Sequence, residues 1–258
     1  MQGIIVYSKV DSERNWWFID EMKRLFKLNG VEINLVIEEE LTFDILPDFV
    51  IYRGRHPEIV RQFENKGVRV FNNSKTNELA NDKCLTYKYA ESKGYKVLNT
   101  FDSIDNISKY PCVMKAVDGH GGKEVFLLKK KEDARPLDNK HYIYQEMCDD
   151  PGVDMRVYVI GSTPKIAIKR TSDKDFRSNY SLGGHAEQTI CPKDVCDICQ
   201  SISRDLQSDF IGIDFIRNNG QWVLNEIEDP VGCRMVYHCT KYDIIEDFVH
   251  YVLTKLGI

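Results

Sequence analysis

Strand and helix patterns alternate along the first 71 residues, and this order limits the fold more than any other feature. Four short apolar runs predict buried strands, and stretches of helical periodicity separate the first two and the last two. The predicted strands are residues 3–7, 31–37, 49–52 and 68–71, and the predicted helices are 16–28 and 58–65. Because strands joined by crossover helices pair in parallel, we predict a parallel α/β sheet with a domain boundary close to Ser74.

The remaining residues show a different order of predicted helices and strands. A helical stretch begins at the polar turn 72–74, continues through residue 91 and ends at Gly94. Later strands have short connections, which predicts antiparallel pairing, and Asn218-Asn219-Gly220 predicts a hairpin because Asn and Gly tolerate positive φ. These strands are predicted at residues 112–117, 124–128, 142–147, 155–160, 165–169, 212–217 and 221–228, before a last helix at 242–256.

Charge and composition exclude several functional classes. The 258 residues are 42% hydrophobic and 29% charged, which is typical of a folded globular chain. The net charge of -5 gives no overall cationic field, so we expect neither a nucleic-acid nor a membrane partner. The first ten residues lack the basic and apolar regions of a signal peptide, and we expect a cytoplasmic protein. The sequence leaves homo-oligomer formation open.

Eight cysteines raise the question of a metal site or disulfides. Because nothing indicates export, we expect reduced thiols. Cys191, Cys196 and Cys199 form the one cluster with a metal-like spacing. The alternative is that Cys196 and Cys199 join the apolar stripe of a helix, and we favour this packing role.

A glycine-rich turn follows a strand that ends near Lys115. Residues 119–122 contain three glycines, and a further lysine follows them. Glycine lets backbone amides approach phosphate oxygens closely, and lysine supplies a positive charge, so the segment suits the phosphates of a nucleotide. It is not a Walker A loop, because the next element is a strand. A simple tight turn is the alternative.

Three carboxylates meet on the predicted hairpin. Glu226 and Glu228 project from one face of their strand, and the hairpin brings Asp214 alongside. Three acids in an apolar neighbourhood are costly to bury unless a cation joins them, and oxygen ligands suit magnesium. The alternative is a solvated edge hairpin with Arg217 or Arg234 as partners.

The segment from 175 to 184 combines an acid, an aromatic ring, a cation and two glycines. Lys165, Lys169 and Arg170 precede it. Cations and amide donors of this kind neutralise a transferring phosphoryl group, and glycines let the chain wrap closely. The alternative is a polar surface loop.

From about residue 81 to 237 the chain resembles the ATP-grasp ligases, and specifically the RimK-like group that includes α-L-glutamate ligases. The order and spacing of several short segments carry this resemblance. They are Asp82-Lys83, Val113-Met114-Lys115 with the glycine loop, Tyr144-Gln145-Glu146-Met147, Asp154-Met155-Arg156, Asp175-Phe176-Arg177-Ser178-Asn179 with Gly183-Gly184, Gly212-Ile213-Asp214, and Asn225-Glu226-Ile227-Glu228.

The resemblance implies an α/β (α+β) fold in which two α+β subdomains clasp ATP. Residues 1–75 would form a small Rossmann-like parallel α/β domain ahead of it. Residues 76–258 would form the ATP-grasp domain, with a lid subdomain at about 110–148 and a catalytic subdomain at about 149–258.

The resemblance also implies the roles of individual residues. Those expected to bind ATP are Lys83, Lys115, Gly119, His120, Gly121, Gly122, Gln145, Glu146, Met147, Cys148, Asp154 and Arg156. Asp214, Glu226 and Glu228 would hold magnesium, with one or two ions and with manganese as a substitute. Arg170, Arg177 and Asn179 would face the γ-phosphate and an acyl phosphate.

The implied reaction is ATP-dependent ligation of a carboxylate to an amine through an acyl phosphate, with ADP and phosphate as products. The substrates would be amino acids or peptides. Two alternatives remain: a small-molecule kinase of the same fold, and a non-catalytic nucleotide-binding protein. Many RimK-like ligases have asparagine where this chain has Glu228, which leaves both substrates open.

Overall fold

The computed structural model describes residues 1–137, 139–173, 175–178 and 184–258, which form three sheets flanked by helices. The strands are β1 (Gln2–Tyr7), β2 (Glu32–Ile37), β3 (Phe49–Tyr52), β4 (Arg69–Phe71), β5 (Thr100–Phe101), β6 (Cys112–Ala116), β7 (Val125–Leu128), β8 (Tyr142–Glu146), β9 (Val153–Ile160), β10 (Thr163–Thr171), β11 (His185–Thr189), β12 (Phe210–Asn218) and β13 (Gln221–Glu228). The helices are α1 (Lys9–Arg14), α2 (Trp16–Leu28), α3 (Pro57–Asn65), α4 (Ser74–Asn81), α5 (Lys83–Ser92), α6 (Lys193–Leu206), α7 (Arg234–Cys239) and α8 (Ile244–Leu256).

The N-terminal sheet is parallel, as the sequence predicts. Its strand order is β2-β1-β3-β4, and β1 pairs with both β2 and β3. Ile5 and Phe49 pack with the buried face of α2 in one apolar cluster, whereas Val50 packs with Val60 of α3 in another. Because the helices cover opposite faces of this sheet, its strands are apolar almost throughout rather than alternating.

The other two sheets are antiparallel, which confirms the prediction from short connections. Their strand orders are β5-β8-β6-β7 and β11-β10-β9-β12-β13. Asn219 and Gly220 have φ of 50° and 72°, and Asn218 pairs with Gln221. The predicted hairpin is therefore confirmed as a two-residue turn with positive φ at both positions.

The helical stretch predicted through residue 91 is two helices instead of one. Asp82 has an extended backbone, and its side chain accepts a hydrogen bond from the Leu85 amide at 2.9 Å. The chain thus ends α4 and starts α5 with a new N-cap, which places Lys83 at the first residue of a helix. The short elements α1, α7, β5 and β11 were not predicted, because two to six residues carry too little periodicity.

The cysteines of α6 divide between core and half-buried positions. Cys199 is fully buried with Val195, Ile202 and Leu206, which confirms the packing role for this residue. Cys196 is half-buried, and its thiol lies 3.8 Å from the Cys191 carbonyl oxygen. All eight cysteines are free thiols.

Side-chain hydrogen bonds join the parallel sheet to the C-terminal sheet. Arg53 Nη2 donates to the Val231 carbonyl at 2.6 Å, and Asn72 Nδ2 donates to Asp229 Oδ1 at 2.9 Å. We retain residues 1–75 and 76–258 as a proposed division into domains. Within the described residues, no helix is long and apolar enough to span a membrane.

Candidate active site

A cavity of about 110 Å³ lies between the two antiparallel sheets. Both sheets contribute to it, and α5 and the turn between β6 and β7 complete its walls. Most of the residues predicted to bind nucleotide or metal line this one space. They are Lys83, Lys115, Gly119, Gly121, Gly122, Gln145, Glu146, Met147, Cys148, Asp154, Arg170, Arg177, Asp214 and Glu226.

A second cavity of about 910 Å³ adjoins the first. Gly121, Arg170 and Glu226 line both cavities. The predicted residues His120, Arg156 and Glu228 line the second cavity and not the first. Asn179, which was predicted to act on the phosphoryl group, lies outside the described residues, as does Gly183.

The three predicted metal ligands converge as the hairpin register requires. Asp214 pairs with Glu226, and Gly212 pairs with Glu228. One ligand oxygen from each of Asp214, Glu226 and Glu228 lies within 4.8 Å of the others. In the described ranges this is the only group of three or more potential metal-binding side chains. Its donors are all carboxylate oxygens, which is the ligand type that magnesium prefers.

Two buried arginines compensate these acids. Arg156 donates to both oxygens of Asp214 at 2.7 Å and also contacts Glu228. Arg170 donates to both oxygens of Asp154, at 2.5 and 2.6 Å, and to Asp214 at 2.7 Å. The arginine partners are therefore on the neighbouring strands β9 and β10, and not Arg217 or Arg234 as the alternative hypothesis supposed.

This arrangement sets the protonation of the acids. Burial disfavours the charged form of Asp214, but attraction to Arg156 and Arg170 outweighs it and lowers the pKa to about 2. For Glu226, burial is likewise outweighed by Lys83, and the pKa is lowered. Burial dominates at Glu228 and raises its pKa, despite the attraction to Arg156. Of the three acids, Asp214 and Glu226 are therefore stabilised in their ionised form.

The predicted phosphate-binding lysines lie beside the acids. Lys83 Nζ is 2.9 Å from Glu226 and donates to the Gly119 carbonyl at 2.5 Å. Lys115 Nζ donates to Gln145 at 2.7 Å and to Asn225 at 3.0 Å. Burial lowers the pKa of Lys115 to about 8, although Glu226 favours the charged form. The partners of Lys115 are neutral amide oxygens, whereas Lys83 pairs with the carboxylate of Glu226. The ammonium group of Lys83 is therefore bound more strongly by the protein than that of Lys115.

A hydrogen bond links the glycine loop to Arg177 in the segment after β10. Gly121 and Gly122 have φ of 61° and 73°, a conformation that glycine adopts without strain. Arg177 Nη1 donates to the Gly122 carbonyl at 2.7 Å, and its other nitrogens contact Asp175. His120 has its pKa lowered to about 4 by burial and by the cations of Arg55 and Lys83, so its imidazole is neutral near pH 7.

Several residues that form the cavity had no role in the sequence-based predictions. Asn225 receives a hydrogen bond from Lys115, and Tyr87 lies 3.4 Å from the same nitrogen. The strand register shifts between Asp214 and Phe215, which leaves Asn225 as the extra residue of a β-bulge in β13. A bulge breaks strict alternation, so Asn225 and Glu226 both reach the cavity. The only sequence signal for Asn225 was its position next to Glu226 in the Asn225-Glu226-Ile227-Glu228 motif.

Apolar side chains also line this cavity. They come from both sheets, from the segment before β5 and from the segment after β10, and they are Leu98, Val113, Val125, Val153, Phe176 and Ile216. A slot with apolar walls beside a cationic end is the arrangement that binds a flat base together with its phosphates.

Comparison with known proteins agrees with this geometry. The sequence profile of the RimK-like ATP-grasp domain matches residues 59–252. The chain belongs to the RimK-like ATP-grasp family. The fold, the enzyme class and the ATP-dependent carboxylate-amine ligase activity predicted from the sequence are thereby confirmed.

Individual RimK-like and ATP-grasp proteins resemble most of the chain. The ribosomal protein bS6–L-glutamate ligase of Escherichia coli O81 is 27% identical over 75% of this chain and 70% of its own length. D-cycloserine synthetase DcsG has a TM-score of 0.77 at 16% identity, covering 99% of this chain and 100% of its own. The ATP-grasp ligase PsnB, solved with a phosphomimetic variant of its minimal precursor, Mg and ADP, has a TM-score of 0.73 at 15% identity and 98% coverage of both chains.

Proposed function

We propose that the cavity between the antiparallel sheets binds ATP, with the base in the apolar slot and the triphosphate toward Lys83 and Lys115. Gln145, Glu146, Met147 and Cys148 would then border the adenine and ribose. The glycine loop at residues 119–122 would cover the phosphates, because its backbone already reaches Lys83 and Arg177 across the cavity.

Asp214, Glu226 and Glu228 would hold magnesium, and manganese is an expected substitute. A bound divalent cation would neutralise charge on the phosphates. Arg156 and Arg170 already contact these acids, so they would keep the carboxylates oriented while the ion binds. We expect room for two ions because the third ligand is a full carboxylate rather than an amide.

The reaction that this arrangement supports is phosphorylation of a carboxylate followed by attack of an amine. A carboxylate is a poor electrophile, and phosphorylation gives it a good leaving group. Arg170 and Arg177 would stabilise negative charge on the transferring phosphoryl group, with Asn179 beside them. No nucleophilic side chain is required, since the protein positions the reactants and excludes water.

One observation carries the proposal: Lys83, Lys115, Asp214 and Glu226 line a single cavity, and Glu228 converges on the same two acids. Two of the three proteins named above are a ribosomal protein bS6–L-glutamate ligase and a ligase solved with a variant of its minimal precursor. By analogy we propose a substrate that is an amino acid, a peptide or a protein chain, and a reaction located in the cytoplasm.

The test is to incubate the full chain with ATP and Mg²⁺ and a panel of amino acids and peptides. We expect ADP release that depends on an added amine, and a coupled product whose mass equals both substrates less one water. ADP release without any amine would support the kinase alternative. Nucleotide binding with no turnover across the panel would support the non-catalytic alternative.

A further inference from the structure

The outer wall of the second cavity comes from the N-terminal region and from the turn after β13. Arg14 and Arg55 line it from α1 and from the segment after β3, and Arg234 lines it from the start of α7. None of these arginines contacts the proposed nucleotide cavity. Arg170, Glu226 and Glu228 line the same cavity, so the three arginines share one space with two of the acids.

Specific hydrogen bonds hold the two segments of this wall together. Arg53, which is buried, donates to the Val231 carbonyl at 2.6 Å. Asn77 donates to the Gly54 carbonyl at 3.1 Å and to Asp229 at 2.9 Å, so one side chain bridges the residue before Arg55 and the turn that leads to Arg234. A shared buried framework thus positions the two segments that carry Arg55 and Arg234.

The charges on this wall are not balanced. Arg55 lies 3.1 Å from Asp11, and Arg14 lies 3.8 Å from the same carboxylate, so two cations share one anion. Arg234 has no carboxylate within ion-pair distance among the residues that the structure describes. No ion pair joins Asp229 to these arginines among the described residues. Its carboxylate is buried and accepts hydrogen bonds from Asn72 and Asn77, and burial raises its pKa although the charge of Arg55 opposes the rise.

The remaining acids of the cavity are already paired. Glu124 contacts Lys140, Glu226 contacts Lys83, and Glu228 contacts Arg156. Among the described residues that line this cavity, Arg14, Arg55 and Arg234 therefore have only the carboxylate of Asp11 as an ion-pair partner. The charge of Arg55 extends across this space, since it contributes to lowering the pKa of His120 on the glycine loop.

We infer that Arg55 and Arg234 determine substrate specificity by binding an anionic group, carboxylate or phosphate, that the substrate carries in addition to its reacting carboxylate. Arginine presents a planar set of donors that matches such an oxyanion. This inference rests on the proposed function, because the second cavity is the substrate site only if the first holds ATP.

The experiment is a binding titration with the Mg²⁺ complex of a non-hydrolysable ATP analogue already present. The probes are glutarate, its monoamide, and 4-phosphonobutanoate, which share a chain length and differ at one end. The proteins are the wild-type chain, Arg55→Gln, Arg234→Gln, and Arg61→Gln as the control. Arg61 lies on α3 of the same N-terminal region and pairs with Glu78 outside the cavity.

For the wild-type chain we expect at least about tenfold tighter binding of a doubly anionic probe than of the monoamide, because a charge-assisted bidentate contact is lost in the amide. Preference for glutarate or for the phosphonate would identify which oxyanion is bound. Arg55→Gln and Arg234→Gln should each lose most of this preference, with unchanged affinity for the ATP analogue, and Arg61→Gln should keep it.

Equal binding of all probes, no binding of any probe, or an unchanged preference in both variants would overturn the inference while leaving the proposed function intact. Failure of the ATP analogue to bind the wild-type chain would instead contradict the proposed function. The nucleotide titration and the probe titration therefore separate the two failures.

Discussion

Two groups of charged residues around the adjoining cavities differ in how their charges are compensated. In the first group, which we call the deep region, Arg156, Arg170, Asp154, Asp214 and Glu228 form a closed set of ion pairs. In the second group, which we call the outer region, Arg14 and Arg55 share a single carboxylate, and Arg234 has none among the described residues. A closed set of ion pairs keeps its side chains oriented, whereas cations without enough carboxylate partners favour an anionic ligand. Under the proposed function, this contrast would separate the residues that organise the reaction from those that select its substrate.

The strongest test of the proposed nucleotide site removes a metal-binding acid or a phosphate-binding lysine. We expect Glu226→Ala and Lys115→Ala each to abolish ADP formation, on the order of a thousandfold loss or more, because each removes charge stabilisation of the transferring phosphoryl group. ADP release measures the effect, and circular dichroism checks that the fold is kept. Glu78→Ala, which removes an acid outside both cavities, is the control. Full activity in either variant would reject the site assignment.

Removing the ion pairs that Arg156 makes with Asp214 and Glu228 should destabilise the protein. Arg156→Ala leaves Glu228 without this partner and Asp214 with Arg170 alone. We expect the free energy of unfolding to fall by about 3 kcal/mol, the low end for breaking a buried pair, because Arg170 still compensates Asp214. Urea denaturation measures this change.

The matched control for Arg156→Ala is Arg61→Ala, whose ion pair with Glu78 is exposed. Its unfolding midpoint should not change measurably. An equal shift in the two variants would show that the ion pairs of the deep region are no more important to stability than those at the surface.

Nucleotide affinity should depend on pH through Lys115. Burial lowers the pKa of this lysine to about 8, so the free protein loses the charge as pH rises through that value. If the ammonium contacts phosphate, affinity for an ATP analogue should fall about tenfold between pH 7 and pH 9, by proton linkage. Below pH 7 it should be nearly constant. Fluorescence titration measures the dissociation constant, and Lys115→Arg, which stays charged, should flatten the profile.

The smallest effect concerns the residue that departs from the common RimK-like pattern. Glu228→Asn removes one negative charge from the metal-binding group and one partner of Arg156. We expect the Mg²⁺ concentration for half-maximal activity to rise about three- to tenfold, because fewer charged ligands bind the ion less tightly. Maximal ADP release should change less. A Mg²⁺ titration that matches the wild-type curve would show that Glu228 does not hold the ion.

The sequence predicted the parallel sheet, the antiparallel strands and the converging acids because each depends on local periodicity. Gln221–Glu228 was predicted to the residue, since a two-residue turn fixes its register. The partners of the acids could not be predicted in this way. Arg156 and Arg170 reach Asp214 from strands that are distant in sequence, and pairing order between such strands leaves no periodic signal.

The outer wall was the least predictable part. Arg234 was considered from the sequence as an alternative partner of the three acids, and nothing in the sequence relates it to Arg55. Their relation depends on Arg53 and Asn77, which are polar residues buried between the N-terminal region and the turn after β13. Buried polar contacts between distant segments follow from the assembled fold and not from any local pattern.

The contacts of the glycine loop have a consequence for how the enzyme would begin a cycle. Lys83 and Arg177 already donate to the carbonyl oxygens of Gly119 and Gly122. If both cations bind phosphate as proposed, an arriving nucleotide would have to replace these carbonyl groups before the loop closed over it. Entry of ATP and release of the loop would then be a single exchange, and in the free enzyme Lys83 and Arg177 would be less available to other anions.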